Sequence, residues 1–210
     1  MWIIPVEIIL AYLIGSIPTS VWVGKLFYGI DVREHGSGNA GATNTIRVLG
    51  YRAGIPVMLV DVMKGLLAVQ LVHIFPHASF SADTVIYIEI ALAASAVLGH
   101  IFPVYVGFRG GKGVGTLAGA AIALYPLALL VVLGVFIITL AISRYVSLSS
   151  ILGALIFPLA VVFITGQHHP GLVVLSVLVA VFVPLTHLKN IKRLMKGEEN
   201  RFDFSRKDKK

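Results

Sequence analysis

The chain contains no cysteine, which excludes a disulfide framework and any thiolate nucleophile or thiolate metal ligand. Charge is scarce as well. Only 13% of the 210 residues are Asp, Glu, Lys or Arg, against 57% hydrophobic, where soluble domains carry about 25% charged and roughly 45–50% apolar residues. No charged residue occurs between Glu89 and Arg109, between Lys112 and Arg144, or between Arg144 and Lys189. A membrane-crossing helix needs about 20 mostly apolar residues, so each gap holds at least one. A buried helix pair in a soluble protein accounts for one such gap, not for three in succession.

What is present is unevenly placed. The apolar runs predict an all-α integral membrane protein of about seven transmembrane helices, near 2–23, 52–75, 84–102, 114–125, 127–142, 149–165 and 171–187. The first has no basic leader and carries Glu7, which reads as a retained helix rather than a cleaved signal. The stretch 114–142 is divided at Tyr125-Pro126, because a residue preceding proline is biased away from helical backbone. Charge supports the division. With seven crossings and the N-terminus outside, the inner segments 24–51, 103–113, 143–148 and 188–210, with Arg52 at the boundary, hold 16 of the 17 basic residues. Basic residues favour the cytoplasmic side, so the C-terminus is cytoplasmic. The net charge of +7 is therefore read as topological, and no nucleic-acid partner is expected. The chain divides into one polytopic domain, 1–188, with its reactive loops on the cytoplasmic side, and a basic cytoplasmic tail, 189–210, suited to an anionic leaflet.

The inner segments hold the polar chemistry. The first contains Gly36-Ser-Gly-Asn-Ala-Gly41 and closes on Arg47. It matches the dinucleotide pattern GxGxxG, but that fingerprint needs a preceding strand, and an apolar helix precedes it here. What remains is glycine backbone able to approach an anion closely and a guanidinium suited to phosphate. A flexible loop with an orienting arginine is the plainer reading. The second segment, Gly110-Gly-Lys-Gly113, fails the P-loop pattern GxxxxGK[ST], having Val106 and Gly113 where Gly and Ser or Thr are required. It opens directly into a helix, whose N-terminus favours phosphate, and Lys112 adds a point charge. A tight turn would need only one glycine. The third segment carries Ser147 and Ser150, which suit helix capping. The fourth carries His187 and Asn190, three apart and on one helix face. Within the second span Asp61 and Lys64 are spaced to pair, and ionisable groups in a membrane face the bundle interior. His73, His77, His168 and His169 fall at or beyond the outer face without metal-ligand spacing, so no metal is expected.

Taken together these segments resemble the bacterial acyl-phosphate:glycerol-3-phosphate acyltransferase family (PlsY). The resemblance is carried by Gly36-Ser-Gly-Asn-Ala-Gly-Ala-Thr-Asn44 with Arg47, Gly110-Gly-Lys-Gly-Val114 with Thr116, Arg144-Tyr-Val-Ser-Leu148, and His187, Asn190-Ile191, Arg193 and Gly197-x-Glu199. Asp61-x-x-Lys64-Gly65 fits it too, while Gly115 stands where the family often has alanine. The resemblance implies transfer of a fatty acyl group from acyl phosphate to the 1-hydroxyl of sn-glycerol 3-phosphate, giving lysophosphatidic acid and phosphate, without acyl-CoA and without a cofactor. It implies that Ser37, Arg47, Lys112 and His187 serve catalysis. Gly36, Gly38, Asn39, Thr43, Asn44, Gly110, Gly111, Gly113, Ser147, Ser150 and Asn190 would bind substrate, and Asp61, Lys64 and Glu199 would be structural. It places the chain in the bacterial cytoplasmic (inner) membrane, in contact with membrane lipids and with a peripheral acyl-phosphate synthase as partner. The family lacks the HxxxxD motif of other glycerolipid acyltransferases, and no His here is followed by Asp at that spacing. His35, His187 and His100 all stand as imidazoles able to take the hydroxyl proton, with the acyl-phosphate oxygens as a fourth acceptor. A small-anion membrane transporter is the competing class, since broken helices and intramembrane charges also suit permeation.

Overall fold

The protein is described from a computed structural model, over residues 2–77 and 80–205. Arg206, Lys207, Lys209 and Lys210 of the basic tail lie outside the described residues, as do Ala78 and Ser79 of the predicted first outer loop. All regular structure among the described residues is helical, as the apolar runs predict. The helices form two compact units, one built on Met1–Ala123 and the other on Leu124–Phe204.

In the first unit, α1 (Ile3–Gly15) and α2 (Thr19–Tyr28) make one broken 26-residue span. Proline has no N–H to donate, and at Pro18 the ladder stops. The Ile17 carbonyl exposed there accepts from Thr19 N (3.0 Å) and from Lys64 Nζ (3.0 Å). A short helix, α3 (Ala42–Leu49), leads into α4 (Tyr51–Gln70), and α5 (Ala82–Ile101) returns beside α1. Small residues let these helices close up: a Cβ on Gly15 would collide with the Ala96 carbonyl. Asp61 and Lys64 on α4 pair at 2.8 Å and are both buried, the arrangement their spacing predicts. The helix α6 (Val114–Leu124) packs on α4 through Gly119, where a Cβ would collide with the Val62 carbonyl.

The second unit holds α7 (Pro126–Ser143), α8 (Val146–Leu159), α9 (Pro170–Thr186) and α10 (Leu188–Met195). Pro158 lies inside α8, and one π-helical turn, Ala160–Ile164, follows it, a common response to a disturbed ladder. Tyr125 spans this unit, donating its hydroxyl to Leu172 O (2.7 Å) and meeting Phe157 edge-on at 4.9 Å. The axis turns by 60° between α9 and α10, with His187 at the corner.

Among the described residues, five helical segments are long and apolar enough to cross a membrane, or six if α9 and α10 count as one bent span. The predicted span 114–125 is present as α6, cut off by Pro126 where the sequence places the break. Its 11 residues rise about 16 Å, near half of a hydrocarbon core of about 30 Å.

Candidate active site

The first glycine-rich loop is held from below by one amide. Asn44, on α3 and 1% exposed, donates through Nδ2 to Val32 O (2.8 Å) and His35 O (3.0 Å). Its Oδ1 accepts from Ser37 N (2.8 Å) and Ser37 Oγ (3.1 Å). Glycine is required at the turn, because Gly36 (φ +61°) and Gly38 (φ +73°) are left-handed and a Cβ on Gly36 would strike the Asn44 oxygen. The sequence suggests Asn44 as a substrate contact; its side-chain atoms are instead committed to the loop. Ser37, partly buried, gives its hydroxyl hydrogen to Asn44, and its oxygen retains acceptor capacity. Asn39, Thr43 and Arg47 are partly buried on the same loop and helix, and His35 is exposed.

Two residues pass unnoticed in the sequence beyond their charge. Asp31 takes a two-pronged contact from Arg33, at 2.9 Å from Nε and 2.7 Å from NH2, with Lys25 at 3.2 Å. The Arg33 guanidinium hydrogen-bonded to it holds the Asp31 carboxyl well below its usual range, and Asp31 in turn raises Arg33. The remaining prong of Arg33 donates to Val106 O (3.0 Å) and Arg109 O (3.2 Å). Those bonds bracket Phe108, a bulky residue at φ +60°. Arg33 therefore acts as a clasp between the first and second glycine-rich loops.

The second loop departs from the expected anion nest in one respect. The N–H groups of Gly110 and Gly111 are already used, donating to Ile101 O (3.0 Å) and His100 O (3.2 Å) at the end of α5. Their lack of side chains has a packing reason. A Cβ on Gly110 would collide with the His100 carbonyl, and one on Gly111 with the His100 ring, with Ala40 O at 2.7 Å. The capacity for an anion lies one step on, at partly buried Lys112, at Gly113 (φ +81°) and in the first turn of α6, whose N–H groups lack intrahelical acceptors. His100 itself is buried, its Nδ1 3.7 Å from Asp61 Oδ1, a pairing that a separation of 39 positions hides from sequence inspection.

In the second unit the side chains gather on one carboxylate. Glu199 Oε1 accepts from Ser147 Oγ (2.9 Å) and Asn190 Nδ2 (2.7 Å), and Oε2 from Arg193 Nε (2.8 Å). Burial works to raise the Glu199 carboxyl, but the hydrogen bonds from Asn190, Arg193 and Ser147 outweigh it and hold the group below its usual value. Ser147 and Asn190 thus share a cluster organised by Glu199. Ser150 stays apart, bonding back to Val146 O (2.9 Å) in its own helix. His187 is buried at the α9–α10 corner with Nδ1 2.8 Å from Val183 O and 3.1 Å from Thr186 Oγ1. A carbonyl can only accept, so Nδ1 carries the proton toward Val183.

The family model for glycerol-3-phosphate acyltransferase matches residues 6–197. The chain belongs to the glycerol-3-phosphate acyltransferase family. It is similar to the glycerol-3-phosphate acyltransferase of Chlorobaculum tepidum, 44% identical over an alignment that covers 96% of this chain and 97% of that protein. The fold is similar to crystal structures of PlsY (YgiH), an integral membrane glycerol 3-phosphate acyltransferase. Its glycerol 3-phosphate form aligns with a TM-score of 0.85 at 34% identity, covering 95% of this chain and 96% of that one. Its lysophosphatidic acid form aligns with a TM-score of 0.83 at 32% identity, covering 97% of each chain. This family member is an integral, multi-pass membrane protein, in agreement with its apolar helices.

Proposed function

We propose that the chain is a membrane acyltransferase that moves a fatty acyl group from acyl phosphate to the 1-hydroxyl of sn-glycerol 3-phosphate, releasing lysophosphatidic acid and inorganic phosphate. The observation that carries this reading is the likeness, over nearly the whole chain, to an enzyme solved in a glycerol 3-phosphate form and a lysophosphatidic acid form. The chemistry of the loops supports it. Arg47 and Lys112 are the cations suited to a phosphate dianion, and the first turn of α6 adds oriented N–H donors.

In the reaction the 1-hydroxyl oxygen forms a bond to the acyl carbonyl carbon, and the bond from that carbon to the phosphate oxygen breaks. Lys112 and α6 N–H groups stabilise the oxyanion between these events. Phosphate leaves readily, so holding the reactants in place removes much of the barrier. Ser37 accepts a hydrogen bond from the attacking hydroxyl, and the proton ends on the departing phosphate. Glu199 holds Ser147 and Asn190 in place. The sidedness of charge supports an outer N-terminus, a cytoplasmic tail and residence in a bacterial inner membrane, where a water-soluble phosphate meets an acyl chain.

Purified protein in detergent, supplied with a long-chain acyl phosphate and glycerol 3-phosphate, is expected to form lysophosphatidate and phosphate in equal amounts. Turnover with acyl-CoA and none with acyl phosphate would overturn the donor assignment. Phosphate uptake into liposomes with no acyl transfer would favour the transporter reading.

A further inference from the structure

Under the two glycine-rich loops lies a polar cluster to which the proposed reaction gives no task. The Asp61–Lys64 pair forms its centre, with Lys64 tied to Ile17 O. The Thr19 hydroxyl is 3.4 Å from Asp61 Oδ1, and His100 Nδ1 is 3.7 Å from the same oxygen. All four side chains are buried. Together with Ala40, Gly110 and neighbouring prolines they line a cavity of about 10 Å³, room for about one water molecule. His100 Nδ1 is buried there without a hydrogen-bond partner.

The other edge of the imidazole presses on the loops. His100 Nε2 occupies the space a Gly111 Cβ would need, and Ala40 O lies 2.7 Å from the same point. The His100 carbonyl also accepts from Gly111 N. Gly111 is therefore where the first loop, the second loop and the buried cluster meet, one residue before Lys112. The imidazole acts there as a spacer whose far edge faces a carboxylate.

We propose that His100 is a positioning residue for anion recognition. Backed by the Asp61–Lys64 pair, its ring holds the Lys112 turn at the separation from the first loop that a phosphate group requires. The proposal rests on the acyl-transfer reading only in taking that phosphate to be glycerol 3-phosphate. Charge-assisted hydrogen bonds are short and directional, so a small shift of the turn forfeits one of them. A hydrogen bond to a charged group corresponds to roughly a ten- to hundred-fold change in affinity.

The test measures initial rates against glycerol 3-phosphate at saturating acyl phosphate, with inorganic phosphate as competing anion. His100→Ala is expected to raise KM for glycerol 3-phosphate and the inhibition constant of phosphate in parallel, by roughly ten- to hundred-fold, with kcat nearly kept. His100→Gln, whose amide also reaches toward Asp61, is expected to fall between His100→Ala and the parent. A purely structural role predicts the reverse: fewer folded molecules lower kcat and leave KM unchanged, and that result would overturn the proposal. If His100→Ala does not fold, an unchanged KM in His100→Gln overturns it and a raised KM upholds it. A parent protein without acyl transfer would sink the proposed reaction alone. The positioning role would then be read from stabilisation by inorganic phosphate, expected in the parent and lost in His100→Gln; equal stabilisation in both would refute it.

Discussion

The two units hold their polar residues by opposite means. In the first, backbone closeness dominates: Gly36, Gly110 and Gly111 let loops lie directly against Asn44, His100 and Ala40, and Asn44 fixes the first loop with four neutral hydrogen bonds. In the second, one charged acceptor does the gathering, with Glu199 drawing in Ser147, Asn190 and Arg193 from α8 and α10. The glycine and Asn44 packing is steric and neutral, and it fails abruptly when volume is added. The second is electrostatic, fails by degrees and responds to acid.

Adding volume gives the largest contrast. Gly110→Ala is expected to abolish activity and to destabilise by about 3 kcal/mol or more, since the obstructing atom is backbone and overpacking is not easily relaxed; near-normal Tm and turnover would refute the steric account. Next is Asn44→Asp, which replaces two donors by an acceptor facing two carbonyls. Leaving buried polar groups unsatisfied costs roughly 1–3 kcal/mol each, so activity should fall at least ten-fold, and Asn44→Ser should not restore it. Glu199→Gln keeps one acceptor but turns an amide toward Arg193, a loss of about 2 kcal/mol that lowers Tm by several degrees.

The same variant sharpens the comparison through pH. The folded value of Glu199 is held below its ordinary 4.5, so its contribution is complete above about pH 4.5 and drains away as pH falls through the lowered value. The fall in Tm below that pH should be shallower in Glu199→Gln than in the parent; parallel curves would show that Glu199 is not the acid-sensitive element. The smallest effect is expected at Ser150→Ala. Its hydroxyl bonds only within its own helix, so stability should move by about 0.5 kcal/mol or less, with activity within two-fold, whereas Ser147→Ala should measurably impair turnover.

The helices, the break at Pro126 and the Asp61–Lys64 pair were legible in the chain because each depends on near neighbours: an apolar run, a missing N–H, a three-residue spacing. The family resemblance was legible because its motifs stand in order along the inner segments. The engaged N–H groups of Gly110 and Gly111, the grip of Asn44 on Ser37, the reach of Arg33 to Val106 O and the placement of His100 beside Asp61 were not. Each joins a side chain or an amide to a backbone carbonyl or to a distant helix, and backbone carbonyls carry no mark in a sequence. The shortness of α6 was legible too, since the break before Pro126 bounds it in the sequence and the observed helix ends within one residue of that bound.

The bond from Lys64 to the Ile17 carbonyl bears on how the protein enters its membrane. A Lys or an Asp at the centre of an inserting helix is adverse by about 3 kcal/mol, and α4 brings one of each. The broken α1–α2 segment brings a carbonyl that lipid cannot satisfy. Each is the other's remedy, so the first two spans suit delivery into the bilayer as partners rather than in succession, and the polar contacts between them are a feature of biogenesis before they are one of catalysis.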